Sequence, residues 1–247
     1  MMGKLHMRHK FAMLGLAMLL PVLPMLVAAG EMNWYLAGRT SIGRMVMSNA
    51  DHGASVGTGV LIRGVMDGAF LETTTKDYSN GIGGAVGLDS GPWRLEGELL
   101  WRYRSDWDLT APTPSDGNVT LFRANYGTTT LFLNAMRRGA LGRRWFWESG
   151  AGVGLVRKTC QSEFTKRGDA RGLPSEILIK DSSTGTEFGW QLLAGVTRQI
   201  GEHWSFHIRY RYADFGDLEA GPYGQRSEHV KADLNTHEMT LGFERSL

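Results

Sequence analysis

The chain alternates long and short connections between segments that read as β-strands, and few architectures need that asymmetry. Eight candidate strands fall at residues 34–42, 81–88, 93–104, 119–134, 144–157, 187–200, 204–213 and 236 to the end. The connections at 43–78, 105–118, 158–186 and 214–235 are long and polar, while those at 89–92, 138–142 and 201–203 are short. A transmembrane β-barrel has tight turns on its inner side and long loops on its outer side, and closure removes every sheet edge. An even strand count leaves both chain ends on the short-turn side.

Alternation within the strands agrees. Leu95, Leu99, Trp101 and Tyr103 share one phase, while Arg94, Glu96, Glu98, Arg102 and Arg104 fill most of the other. In the seventh strand Trp204, Phe206, Ile208, Tyr210 and Tyr212 alternate with Ser205, His207, Arg209 and Arg211, and the last strand sets Met239, Leu241 and Phe243 against Glu238, Thr240 and Glu244. A soluble barrel or sandwich has the same period with its faces reversed. The loop asymmetry, and the aromatics Trp34, Trp93, Tyr103, Trp145, Trp147 and Trp204 near strand ends, favour lipid on the apolar face.

The first residues carry Lys4, Arg8 and Lys10, then an apolar run from Phe11 to Leu26 and the small residues Val27, Ala28 and Ala29. This is the layout of a secretory signal peptide (residues 1–29), cleaved after Ala29, so that the barrel domain comprises residues 30–247. The formal charge of +2 includes the three leader cations, so without them the chain sits near −1, and no nucleic-acid partner is implied. A mean hydropathy of −0.22 argues against a helical membrane protein but not against a barrel, in which only alternate residues face lipid. With the single cysteine, Cys160, no internal disulfide forms. Placed after five crossings and among polar neighbours, this thiol is expected outside the cell in a solvated, reactive position.

The chain resembles the opacity-protein family and the related small OmpA/OmpX-type outer-membrane barrels. The residues that carry the resemblance are Gly81 to Leu88 leading into Trp93 to Glu98, the alternation Gly150-Ala151-Gly152-Val153-Gly154, the segment Tyr210 to Gly216, and His237 to Phe243. The resemblance implies an eight-stranded antiparallel barrel whose four surface loops serve adhesion, host contact or envelope integrity. Its implied partners are outer-membrane lipid, the barrel-assembly machinery and extracellular ligands. One departure is the C-terminus, where such barrels usually end on an aromatic residue; this chain ends Glu244-Arg245-Ser246-Leu247, with Arg245 in the apolar phase.

No cofactor, metal site or catalytic residue is implied. Glycines 150, 152 and 154 recur at period two inside a strand, where a dinucleotide fingerprint needs a strand-to-helix turn; on an inner face they make room for large lumen side chains. The charged face gathers Arg39, Arg94, Glu96, Glu98, Arg102, Arg123, Glu148, Arg209, Arg211, Glu238 and Glu244. An eight-stranded barrel is only wide enough to be filled by side chains, so these charges are expected to pair as a structural network. Two alternatives are a narrow pore for small solutes and an envelope enzyme acting on lipid. The second has Ser205, His207 and Glu238 on one face, as in lipid A deacylases, but on the arginine-bearing side. Loop histidines 52, 229 and 237, with Tyr78 and Tyr223, are candidate surface ligands for haem or metal, although isolated loop histidines are usually only solvated. Trp107, between Asp106 and Asp108, and Tyr223 are candidate loop contacts.

Overall fold

Alternation of two side-chain classes holds each strand to one register, since a one-residue slip would turn charge to lipid and hydrocarbon to the lumen. The computed structural model describes residues 32–51, 72–112, 119–166, 176–223 and 228–247; the expected signal peptide lies outside them. The strands are β1 (Met32–Asp51), β2 (Thr75–Ser90), β3 (Trp93–Pro112), β4 (Val119–Ala140), β5 (Trp145–Lys166), β6 (Glu176–Gln199), β7 (Trp204–Tyr223) and β8 (Glu228–Ser246). Each pairs antiparallel with its neighbours, and β8 returns to β1 to close the barrel. Following paired residues from Tyr35 through Gly87, Glu96, Asn134, Gly152, Gln191, Ala213 and Thr236 leads back to Met45, ten positions further along β1. That stagger tilts the strands by about 40° from the axis.

Exposed apolar side chains form a belt around the lower barrel. Trp34, Trp145 and Trp204 mark its inner edge, Leu36, Val86, Leu131 and Leu241 its middle, and Ile42, Tyr103, Leu155 and Phe188 its outer edge. About ten residues of tilted strand span roughly 25 Å, the height of an outer-membrane apolar band. At the inner edge one device recurs three times. Arg137 lies over Trp93, Arg198 over Trp145 and Arg245 over Trp204, each pair facing across neighbouring strands. Arg245 thus occupies the apolar phase because its guanidinium covers an interfacial ring.

The strands run further than the sequence suggests. All four long connections are partly strand: β1 continues to Asp51, β3 to Pro112, β5 to Lys166 and β7 to Tyr223, and β2, β6 and β8 begin earlier to match, while β4 begins at Val119 as expected. Pro112 and Pro222, expected in connections, lie at these outer strand ends. The extension is hidden because the apolar face changes sides above the membrane. Here Met45, Met47, Leu109, Phe122, Phe164 and Leu234 point inward and are buried, while Arg123, Glu163 and Lys231 point outward.

Candidate functional site

The lower lumen holds a ladder of five buried arginines and five buried glutamates: Arg39, Arg94, Arg102, Arg209 and Arg211 with Glu96, Glu98, Glu148, Glu238 and Glu244. At its foot Arg94 donates from Nε to Asp89 at 2.6 Å and from Nη1 to Glu244 at 2.7 Å. Glu244 also accepts from Arg209 at 3.1 Å, and Arg209 reaches Glu96 at 3.2 Å and pairs closely with Glu148. Glu96 binds Arg39 and accepts the Tyr35 hydroxyl at 2.6 Å. Arg39 then joins Glu98 at 2.5 Å, Glu98 joins Arg211 at 2.6 Å, Arg211 lies 3.5 Å from Glu238, and Glu238 binds Arg102 at 2.5 Å. Every rung alternates in sign. Desolvating ten charges is costly, and close multiple pairing of this kind is what offsets it.

Inward glycines let these side chains meet. In register, Gly87 stands between Tyr35 and Glu96, Gly152 between Asn134 and Gln191, and Gly195 between Glu148 and Arg209. Each flanking pair is hydrogen-bonded across the glycine. A Cβ at Gly87 would run into the Tyr35 ring, and one at Gly152 into the Asn134 amide.

Above the ladder the lumen becomes apolar. The Arg102 guanidinium lies 4.7 Å from the centroid of the Phe215 ring, and Phe215 packs toward Phe132. Higher still, Trp107, Phe122 and Phe164 form an aromatic stack with centroids 5.2 and 5.0 Å apart. Two walls of this upper region are not laddered: β2 and β3 pair only as far as Gly81 and Arg102, above which Ser105 donates to the Tyr78 carbonyl at 3.1 Å, and β6 and β7 pair only as far as Trp190 and Asp214, although all four strands continue. Side chains bridge the β6–β7 seam as well. Lys158 donates to Glu187 at 3.1 Å, Glu187 accepts the Asp217 amide at 2.7 Å, and Ser183 donates to the Glu219 carbonyl at 2.9 Å. A cavity of about 390 Å³ lies there, lined by Lys158, Cys160, Glu187, Asp217 and His229 among others.

Four expectations are corrected. Trp107 is fully buried rather than a loop contact, because a bulge between Arg102 and Ser105 shifts the parity of β3 and turns the indole inward. Arg123 points outward beside Asp108; it shares the phase of Leu131 and Leu133 and only its charge suggested the lumen. Cys160 is buried on the inner face of β5, not solvated. The long connections are shorter than the sequence implied. Tyr223 pairs with Glu228 at the outer end of β7, and its side chain lies outside the described residues, as does His52.

The proposed Ser205, His207 and Glu238 set is not assembled toward lipid. His207 is fully buried in the lumen, 3.2 Å from Glu244. His237 faces outward and bonds to the Tyr210 hydroxyl at 2.6 Å. Among the described residues no group of three or more His, Cys, Asp or Glu is placed to hold a metal ion.

The family model for the outer membrane protein beta-barrel domain matches residues 26–246. The chain belongs to this family. It is therefore a protein of the cell outer membrane, and its short-turn end is the inner one. Solved structures include similar folds. Neisserial surface protein A has 11% identity and a TM-score of 0.47, covering 87% of this chain and 99% of that one. OprG of Pseudomonas aeruginosa has 13% and 0.43, covering 87% and 95%, and the protease OmpT of Escherichia coli 8% and 0.44, covering 89% and 97%. These likenesses concern the fold alone. No curated protein matches the chain.

Proposed function

We propose that this barrel is a non-enzymatic surface protein that works through its extracellular end, contacting host or extracellular ligands or supporting the envelope, while its lumen is a structural plug. The observation that carries the reading is the ion-pair ladder closed over by packed aromatics. A lumen whose ladder charges are mutually neutralised and over which aromatic rings pack offers a small ion no uncompensated charge to follow through the lower barrel. The connections 52–71, 113–118, 167–175 and 224–227 all leave from the outer end, and connections on a rigid scaffold are where binding residues concentrate.

The test replaces segments 52–71 and 167–175 by short Gly-Ser linkers, with closure of the barrel checked by its heat-dependent electrophoretic mobility. Loss of adhesion to host cells, or of resistance to envelope stress, with the barrel intact is the expected result. Unchanged adhesion and envelope resistance would overturn the reading.

A further inference from the structure

The cavity beside β6 and β7 contains a carboxylate cradle that the protein fills from its own chain. One half of the cradle is the Lys158 ammonium, whose side chain on the inner face of β5 is 4% exposed. The other half is the backbone amide of Asp217, at the bulge between Asp214 and Asp217. Both converge on Glu187, whose Oε2 accepts from Lys158 Nζ at 3.1 Å and from the Asp217 N–H at 2.7 Å. Gly216 makes the room: its φ of +75° lies in the left-handed region, and a Cβ there would fall on the same Oε2. A backbone amide bared by a bulge beside a buried cation is suited to an oxyanion.

Glu187 is the member that can leave. Its side chain is 34% exposed, so its carboxylate can turn to solvent while the ammonium cannot. An incoming carboxylate replaces it charge for charge, and the neighbouring acids Asp181 and Glu219 oppose the guest no more than they oppose Glu187; Glu219 is itself paired with Lys231. The cavity, about 390 Å³, has room for a small ligand body. Its lining includes Cys160 and Leu218, both members of the buried apolar cluster of the upper lumen, while Ser182 and Thr184 at its rim are exposed. Entry breaks no ladder hydrogen bond, because β6 and β7 are unpaired above Trp190 and Asp214. A carboxylate head and a hydrocarbon tail match, in order, the cradle and the apolar floor.

We propose that this cavity binds a medium-chain fatty acid, whose carboxylate displaces that of Glu187 from Lys158 and the Asp217 amide and whose tail lies over Cys160 and Leu218. Glu187 is then a built-in competitor for the cradle. A hydrogen bond to a charged group is worth about tenfold or more in binding, so removing the Lys158 ammonium weakens capture by about that factor, whereas removing the Glu187 carboxylate strengthens it. A salt bridge with a structural role alone does not give these opposite signs.

The test titrates the full barrel, folded in phosphatidylcholine nanodiscs, with octanoate, octanol and acetate by isothermal calorimetry, with empty nanodiscs as the blank. The unmodified protein is compared with Lys158→Gln and Glu187→Ala. Expected are saturable binding of octanoate, much weaker binding of octanol and of acetate, a loss of about tenfold or more in Lys158→Gln, and a gain in Glu187→Ala. If Lys158→Gln does not close into a barrel, Glu187→Ala and the comparison with octanol decide. Equal binding of octanol or acetate, unchanged affinity in Lys158→Gln, or unchanged or weaker affinity in Glu187→Ala would overturn the proposal. Capture in this cavity does not depend on what the loops contact, so the loop replacement and this titration fail independently.

Discussion

Glu96 sits at the crossing point of the ladder, where Arg39, Arg209 and Tyr35 converge on one carboxylate. Glu96→Gln keeps the shape but leaves the closed ladder one negative charge short, with Arg39 held by Glu98 and Arg209 by Glu148 and Glu244, and breaking a buried pair of this kind costs about 3 kcal/mol or more. The expected readout is a lower urea midpoint for reversible folding into lipid vesicles; an unchanged midpoint would mean that the lumen is wet enough to solvate the arginines. The same logic makes Gly195→Val destabilising, because the added methyl groups fall where Arg209 reaches Glu148. Cys160, buried under the outer strands, should resist a membrane-impermeant maleimide on intact cells and react fully once the protein is unfolded. Prompt labelling of the folded protein would place the thiol in solvent, as its polar sequence neighbours suggest.

Single strands explain both what the sequence disclosed and what it concealed. In β4 the inward phase reads Asn134, Phe132, Thr130, Thr128, Tyr126, Ala124 and Phe122, and the outward phase Leu133, Leu131, Thr129, Gly127, Asn125 and Arg123. The lower half has polar groups inside and leucines outside; the upper half reverses this. A single rule of apolar toward lipid therefore finds the membrane portion and mistakes the remainder for loop. Bulges add to the difficulty, since those at Ser48/Asp51, Arg102/Ser105 and Asp214/Asp217 each break the two-residue count near the changeover. The charged residues of the ladder were legible as a face, with Arg123 the exception, but their pairings were not, because Arg39 and Glu96 meet only across an intervening strand. The inversion predicts opposite outcomes for neighbouring positions. Met47→Asp, on the buried upper face, should destabilise by about 3 kcal/mol or more. Arg123→Leu, on the exposed face, should stay within about 0.5 kcal/mol. Equal effects of the two exchanges on the folding equilibrium would contradict the reversed packing.

The barrel as a whole is a lipid-facing belt around a charged plug, carried upward into an extension with an aromatic core and a polar cavity beside β6 and β7, from whose outer end four connections leave. Closure and the ten-residue stagger leave no free edge along the belt, while the two unladdered stretches lie toward the outer end, the one between β2 and β3 bridged by Ser105 to the Tyr78 carbonyl and the one between β6 and β7 by Lys158, Glu187 and Asp217. Such an assembly is continuously hydrogen-bonded where it meets lipid, and the proposed function assigns binding to its extracellular end. The most direct test is single-channel recording of the purified, refolded protein in planar bilayers bathed in concentrated potassium chloride. A closed lumen predicts a silent membrane with the unmodified protein. Reproducible, ion-selective steps in the unmodified protein, altered in size or selectivity by Glu96→Gln, would show that the ladder lines a conducting path and that the barrel is a pore.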